Sequence, residues 1–133
     1  MKFLLMLLWG LSASALANTG VVAQIQAKLA TEARAADASF QGFSAQRGEA
    51  FYRARQGDWS CATCHSDQPA SGGRHAVTHK AILPLAPSSN PERFTDPYKV
   101  EKWFKRNCND VLNRACTARE KGDFIAYLLT VRS

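Results

Sequence analysis

Methionine is almost absent from this chain: its 133 residues include two, Met1 and Met6. From residue 7 onward there is therefore no thioether to ligate a soft metal centre. Long apolar runs are missing as well. Phe3-Leu4-Leu5-Met6-Leu7-Leu8-Trp9 is too short to span a bilayer as a helix, and no later segment is long and apolar enough to do so. Blocks of a single charge are missing, and nothing resembles a polybasic nucleic-acid arm. There is no internal repeat. The absence of a βαβ pattern argues against a thioredoxin-like redox domain.

What is present begins with a leader. Lys2 precedes the short apolar run, small residues follow, and Ala15-Leu16-Ala17 has the A-x-A form that signal peptidase accepts. Residues 1–17 read as a signal peptide for export to the periplasm, with 18–133 as one small domain and no room for a second core. Removing Lys2 takes the 17 basic residues to 16 against 11 acids, so the formal charge falls from +6 to +5. Modest positive charge of this kind suits docking to an acidic protein partner.

The four cysteines form two pairs, 61/64 and 108/116, in a chain bound for an oxidising compartment where disulfides persist. Cys61-Ala62-Thr63-Cys64-His65 is a C-x-x-C-H sequence. Two intervening residues set the thiols at the spacing of the haem vinyl groups, and the adjacent His reaches the iron. The expectation is one covalent haem c, held by Cys61 and Cys64 and ligated by His65. A zinc site is the alternative for the same cysteines, and it would need 108 and 116 to converge on 61 and 64.

The flanks predict helices. Residues 45–55 read as a helix entering the motif, with Phe51 and Tyr52 as bulky contacts and Gly48 as a place for close approach. Thr117-Ala118-Arg119-Glu120 is a capping box, and Phe124, Ile125, Leu128, Leu129 and Val131 follow at helical spacing, so a helix runs from about 118 to 131. Residues 98–107 carry Val100, Trp103, Phe104 and Asn107 on one face, and the alanine-rich segment 21–35 is a further N-terminal helix. All five prolines lie between Gln68 and Pro97, with Gly72-Gly73 and Ser88-Ser89-Asn90, which predicts irregular chain over the haem. The fold expected is all-α: a small class I c-type cytochrome fold with an extra N-terminal helix and a Pro/Gly-rich haem-covering loop. In cytochromes of that class, which these features resemble, the first and last helices cross beside the haem; Gly48, Phe51 and Tyr127 are the contacts expected here.

The sixth iron position cannot be filled by methionine. His75, His79, a lysine, a weaker oxygen or nitrogen donor, and water all remain open as candidates. Trp103, Arg74, Lys80 and Arg93 are candidate propionate contacts, each equally readable as a packing or solvated residue.

Trp103-Phe104-Lys105-Arg106-Asn107-Cys108-Asn109 with the downstream Cys116, together with Pro84-Leu85-Ala86-Pro87-Ser88 and Arg93-Phe94-Thr95-Asp96, resembles the sphaeroides haem protein family of bacterial c-type cytochromes. The resemblance runs from about residue 45 to the C-terminus. It implies that Asn107 is the distal iron ligand and that Cys108 and Cys116 form a disulfide. It also implies that ferrous haem binds oxygen or nitric oxide and that a multihaem c-type cytochrome donates electrons. His75 and His79 depart from the family's pattern. Cysteines eight apart on a straight helix would be ~12 Å apart, beyond disulfide reach, so the chain must turn between them; Asn109, Asp110 and Asn113 are the candidates. An asparagine amide is a neutral, hard, weak donor that should let go when the iron is reduced and softened. No additional acid, base or second cofactor is evident, so a redox enzyme and a gas-binding module are not separable from the residues. The alternative is a plain electron carrier with permanent bis-His or His-Lys ligation.

Overall fold

The computed structural model describes the backbone of residues 13–133 and the side chains from residue 19 onward. The leader reading falls largely on residues 1–12, outside the described residues; residues 13–17 form the first turn of a helix. Five helices account for nearly all the regular structure: α1 (Ala13–Ala36), α2 (Ala45–Arg53), α3 (Cys61–His65), α4 (Pro97–Leu112) and α5 (Ala118–Thr130). The 68–97 region contains one small antiparallel hairpin, β1 (Gly73–Arg74) with β2 (Ala81–Ile82), pairing Gly73 with Ile82 and Arg74 with Ala81. The all-α expectation holds. Among the described residues no helix is long and apolar enough to cross a membrane.

Local chemistry sets where the helices start. The Ser44 side chain accepts the Arg47 N–H at the start of α2, and Asp96 accepts from Tyr98 and Lys99 ahead of Pro97 at the start of α4. Thr117 and Glu120 form the capping box of α5. Between α4 and α5 the chain turns at Asn113, whose φ is +54°, while Asn109 and Asp110 stay helical. α4 is thus longer than its sequence face suggested, running five residues past Asn107.

α2 and α5 cross tightly because both present glycine at the contact. A Cβ on Gly48 would overlap the Asp123 carbonyl and lie 2.8 Å from Tyr127 Cβ, and a Cβ on Gly122 would run into the Phe43 ring. The expected contact of Gly48 with Tyr127 is present; Phe51 instead meets Phe124 edge-on, with ring centroids 6.5 Å apart. α1 lays Ile25, Leu29 and Ala33, one face at four-residue spacing, into the core that Tyr52, Ile125 and Leu128 complete. Complete burial of side chains such as Ile125 and Leu128 contributes about 1.5–3 kcal/mol each, so this helical frame is the stable platform on which the less regular 56–96 segment is laid.

Candidate haem site

Cys61, Cys64 and His65 lie on one short helix that Ser60 starts. The Ser60 side chain accepts the Thr63 N–H while Thr63 Oγ1 accepts the Ser60 N–H at 2.9 Å, a capping box written as Ser60-x-x-Thr63. Three positions apart on a helix, the two thiols share a face, and both are free. Gly73 of β1 packs onto this turn so closely that a Cβ would strike the Cys64 carbonyl and the His65 Cα. The Ala76 N–H reaches Cys64 Sγ at 3.4 Å. Behind the turn, the buried Tyr52 donates its hydroxyl proton to the Ser66 carbonyl, and burial holds the phenol well above the ordinary tyrosine pKa.

These residues border an open, mostly apolar cleft. Phe51, Ile82, Leu85, Val100, Phe104 and Phe124 supply most of its apolar wall, and Asn107 of α4 reaches the same space as Cys61, Cys64 and His65. Burial, then the charges of Arg93 and His75, lower the His65 pKa to about 4, so the imidazole is neutral with a lone pair to offer at ordinary pH; its Nδ1 is buried without a hydrogen-bond partner. Burial raises the Cys61 thiol to about 11. Paired thiols, a neutral half-buried histidine and an apolar cleft suit a large flat apolar cofactor such as haem c.

Cys108, buried on α4, is joined to Cys116 by a disulfide with Cα atoms 5.6 Å apart. Bonded to each other, these two cannot join Cys61 and Cys64 in a four-thiolate zinc site. The bridge ties the end of the helix that carries Asn107 to the start of α5.

The two unexpected histidines part company. His75 borders the cleft, and its Nδ1 accepts the N–H groups of Val77 (3.2 Å) and Thr78 (3.1 Å), which fixes the ring. His79 is exposed at the hairpin turn with φ +57° and does not border the cleft. Of the four candidate propionate contacts, Trp103 borders the cleft and Arg93 stacks on it; Arg74 and Lys80 are exposed on the hairpin, and Arg74 donates to the His79 carbonyl at 2.8 Å. Two features of the site were not read from the sequence. Ser60-x-x-Thr63 is a capping signal hidden by the stronger cysteine motif, and the close approach of Gly73 has no signal beyond the Gly-Gly pair itself.

A family model described as a domain of unknown function (DUF1924) matches residues 38–128. The protein named cytochrome c'' from Methylophilus methylotrophus is 40% identical over 124 residues, covering 90% of this chain and 86% of the relative. Its oxidised crystal structure superposes with a TM-score of 0.78 at 38% identity, over 86% of this chain and 97% of that one; a solution structure of the same protein, described as giving insights into haem-ligand detachment, also has a TM-score of 0.78, at 37% identity over the same shares. The cytochrome c-type protein SHP of Cereibacter sphaeroides is 46% identical over 89 residues, 63% of this chain and 68% of the relative. A structure described as oxidised SHP, an oxygen binding cytochrome c, matches with a TM-score of 0.72 and 40% identity over 80% of this chain and 94% of that one.

Proposed function

The chain belongs to the family described as a domain of unknown function (DUF1924) and is a monohaem c-type cytochrome, and from that premise we propose that it is a ligand-gated haem protein in which Asn107 holds the sixth iron position and yields it on reduction. Haem c supplies a redox-active iron, and Cys61, Cys64 and His65 are the residues that would hold it. The observation that carries the reading is the position of Asn107. Its side chain borders the same cleft as His65, on a helix end pinned by the Cys108–Cys116 disulfide, in a chain with no methionine after residue 6.

The chemistry of the donor supports release. A neutral amide oxygen binds a ferric centre weakly and a ferrous one more weakly still. Once released, the Asn107 amide stays beside the cleft, where it can donate a hydrogen bond to an incoming oxygen or nitric oxide molecule. The disulfide keeps the backbone in place, so release moves a side chain rather than a helix. That one relative is described as an oxygen binding cytochrome and another through haem-ligand detachment supports carrying both ideas to this chain. A reductive turnover assay under oxygen or nitric oxide reads redox conversion of the bound gas. Residues 1–17 as an export leader, 18–133 as the working domain and the periplasm as the compartment complete the proposal. Its reductant is a multihaem c-type cytochrome with an acidic face, matched by the exposed Lys102, Lys105 and Arg106 near Asn107.

Ferric and ferrous absorption spectra of the wild type beside Asn107→Ala test the reading. A high-spin ferric wild type whose spectrum changes in the variant, and fast carbon monoxide binding after reduction, are expected; a low-spin ferric spectrum unchanged in Asn107→Ala would sink it. One observation favours a second reading, permanent bis-His ligation in a plain electron carrier: His75 also borders the cleft. In that case His75→Ala alters the ferric spectrum, Asn107→Ala does not, and the reduced protein resists carbon monoxide.

A further inference from the structure

A second hollow, between α1 and α4, shares a wall with the haem cleft. Ile25 and Leu29 of α1, 7% and 3% exposed, and the half-buried Val100 and Phe104 of α4 form its floor. Val100 and Phe104 also border the cleft, so a partition one side chain thick separates the two spaces. Asn107 follows on the same face of α4, which puts the partition on the wall of the cleft that carries Asn107. At the mouth of the hollow stand the exposed Gln24, Lys28, Pro97 and Glu101. Both charges there are already paired: the Lys28 amine lies 3.3 Å from Glu32, and Glu101 accepts from the Lys121 amine at 2.7 Å. The floor is wholly apolar. An ion or a strongly polar molecule seated on it would lose its hydration without finding a partner. Water fares no better, because a buried water needs several polar partners, whereas apolar cavities stay dry and take xenon or benzene.

We propose that this hollow binds a small uncharged gas molecule, oxygen or nitric oxide, and passes it between Val100 and Phe104 into the haem cleft. Both gases are neutral and weakly polar, the class of ligand that an apolar floor with a paired-off rim selects. The two halves of the partition differ in stiffness. Valine in a helix is held to one side-chain rotamer, so Val100 is the fixed half. Phe104 is the moving half, since its ring is only half-buried and is held edge-on to Phe124 at 5.6 Å between centroids. The Lys121 amine that pairs with Glu101 at the mouth also lies 5.9 Å from the Phe104 ring, which links the mouth to the partition. Gas delivered here arrives beside Asn107, where the sixth iron position is proposed to open. The delivery step rests on that reading of the iron; the binding site in the hollow does not.

The test uses the holoprotein, with xenon as the probe of the hollow and carbon monoxide as the probe of delivery. Under xenon pressure the side-chain NMR signals of Ile25, Leu29, Val100 and Phe104 should shift and saturate; shifts that are absent or do not saturate overturn the site. Leu29→Trp fills the hollow from α1 at a residue that does not border the cleft. It should abolish the xenon shifts and slow carbon monoxide association with the reduced protein severalfold after flash photolysis. Affinity should stay the same, because a route changes association and dissociation alike. Gln24→Trp, at the exposed mouth, should slow association less, and Ala27→Trp, exposed on α1 away from the hollow, should leave it unchanged. Unchanged association in both Leu29→Trp and Gln24→Trp overturns delivery, as does a change confined to affinity. Should Leu29→Trp fail to fold, Gln24→Trp decides, since its side chain lies outside the core. A reduced wild type that takes up no carbon monoxide overturns the iron reading and delivery with it, while the xenon shifts still decide the site.

Discussion

The guanidinium of Arg47 closes on the carboxylate of Asp123 with two hydrogen bonds, Nε to Oδ2 at 2.7 Å and Nη2 to Oδ1 at 2.8 Å, and thereby ties α2 to α5. The same carboxylate accepts the Ser44 N–H at 2.7 Å, so one buried side chain serves both the start of α2 and the helix crossing. Arg47 is half exposed, whereas the Asp123 side chain is only 5% exposed. Asp123→Ala should therefore cost about 2–3 kcal/mol, with the Ser44 N–H and the guanidinium both losing a charge-assisted partner. Asp123→Asn should cost less. Urea unfolding of the three proteins, compared by midpoint at constant slope, checks the order; equal midpoints would disprove it.

Glycines in two helices should respond oppositely to alanine. Gly48→Ala puts a Cβ against the Asp123 backbone and Tyr127, forcing α2 and α5 apart at a cost of about 1–3 kcal/mol or more. Gly20 in α1 has nothing within 4 Å of a built Cβ, so Gly20→Ala should change stability by less than about 1 kcal/mol and in the stabilising direction. Thermal melts of both variants of the mature protein read the difference.

Opening the disulfide should have a global and a local effect. Closing the loop between Cys108 and Cys116, eight residues apart, restricts the unfolded chain by about 2.5 kcal/mol on the entropy model. A Cys108→Ser/Cys116→Ser double variant should lose roughly that much and show faster amide exchange over 105–112, where α4 carries Asn107. A loss of stability with unchanged exchange in that segment would confine the bridge to a general stapling role.

Glu120 links the capping box to pH. Its carboxylate accepts from Arg114 and from the Thr117 N–H, and these contacts, Arg114 first, hold its pKa below the ordinary 4.5 despite partial burial. A folded-state pKa below the unfolded one means stability that is present above pH 4.5 and lost as pH falls through the lowered value. Solvent screening limits the amount to about 0.5–1 kcal/mol. Unfolding measured from pH 7 to pH 3 should show Glu120→Gln less stable than the wild type at neutral pH, with the gap closing at the acid end; a constant gap would contradict the linkage.

Much of the helical frame was legible because its signals are local. Thr117 and Glu120 cap α5, the Val100/Phe104 spacing marks α4, and the Ile25/Leu29 spacing marks α1; each depends on neighbours within a turn or two. The end of α4 was less legible. Asn109 and Asp110 favour turns as readily as Asn113, and only docking of the helix against the cleft and the disulfide to α5 carries the helix through the first two and stops it at the third. Asp123 gave no signal at all, since an aspartate five residues into an amphipathic helix reads as solvated until α2 brings Arg47 to it.

Residue identity alone determined that Cys61, Cys64 and His65 form a haem-attachment sequence and that no methionine after residue 6 can reach an iron, because both statements concern adjacent residues or simple absence. Tertiary structure decided which distant side chains share that cleft. It brought Asn107 and His75 to it, left His79 outside, and buried Arg93 against Trp103 with one donor unmatched. The reason is physical: attachment spacing is set by a single helical turn, whereas the cleft is closed by packing between segments tens of residues apart, which short-range pattern does not encode.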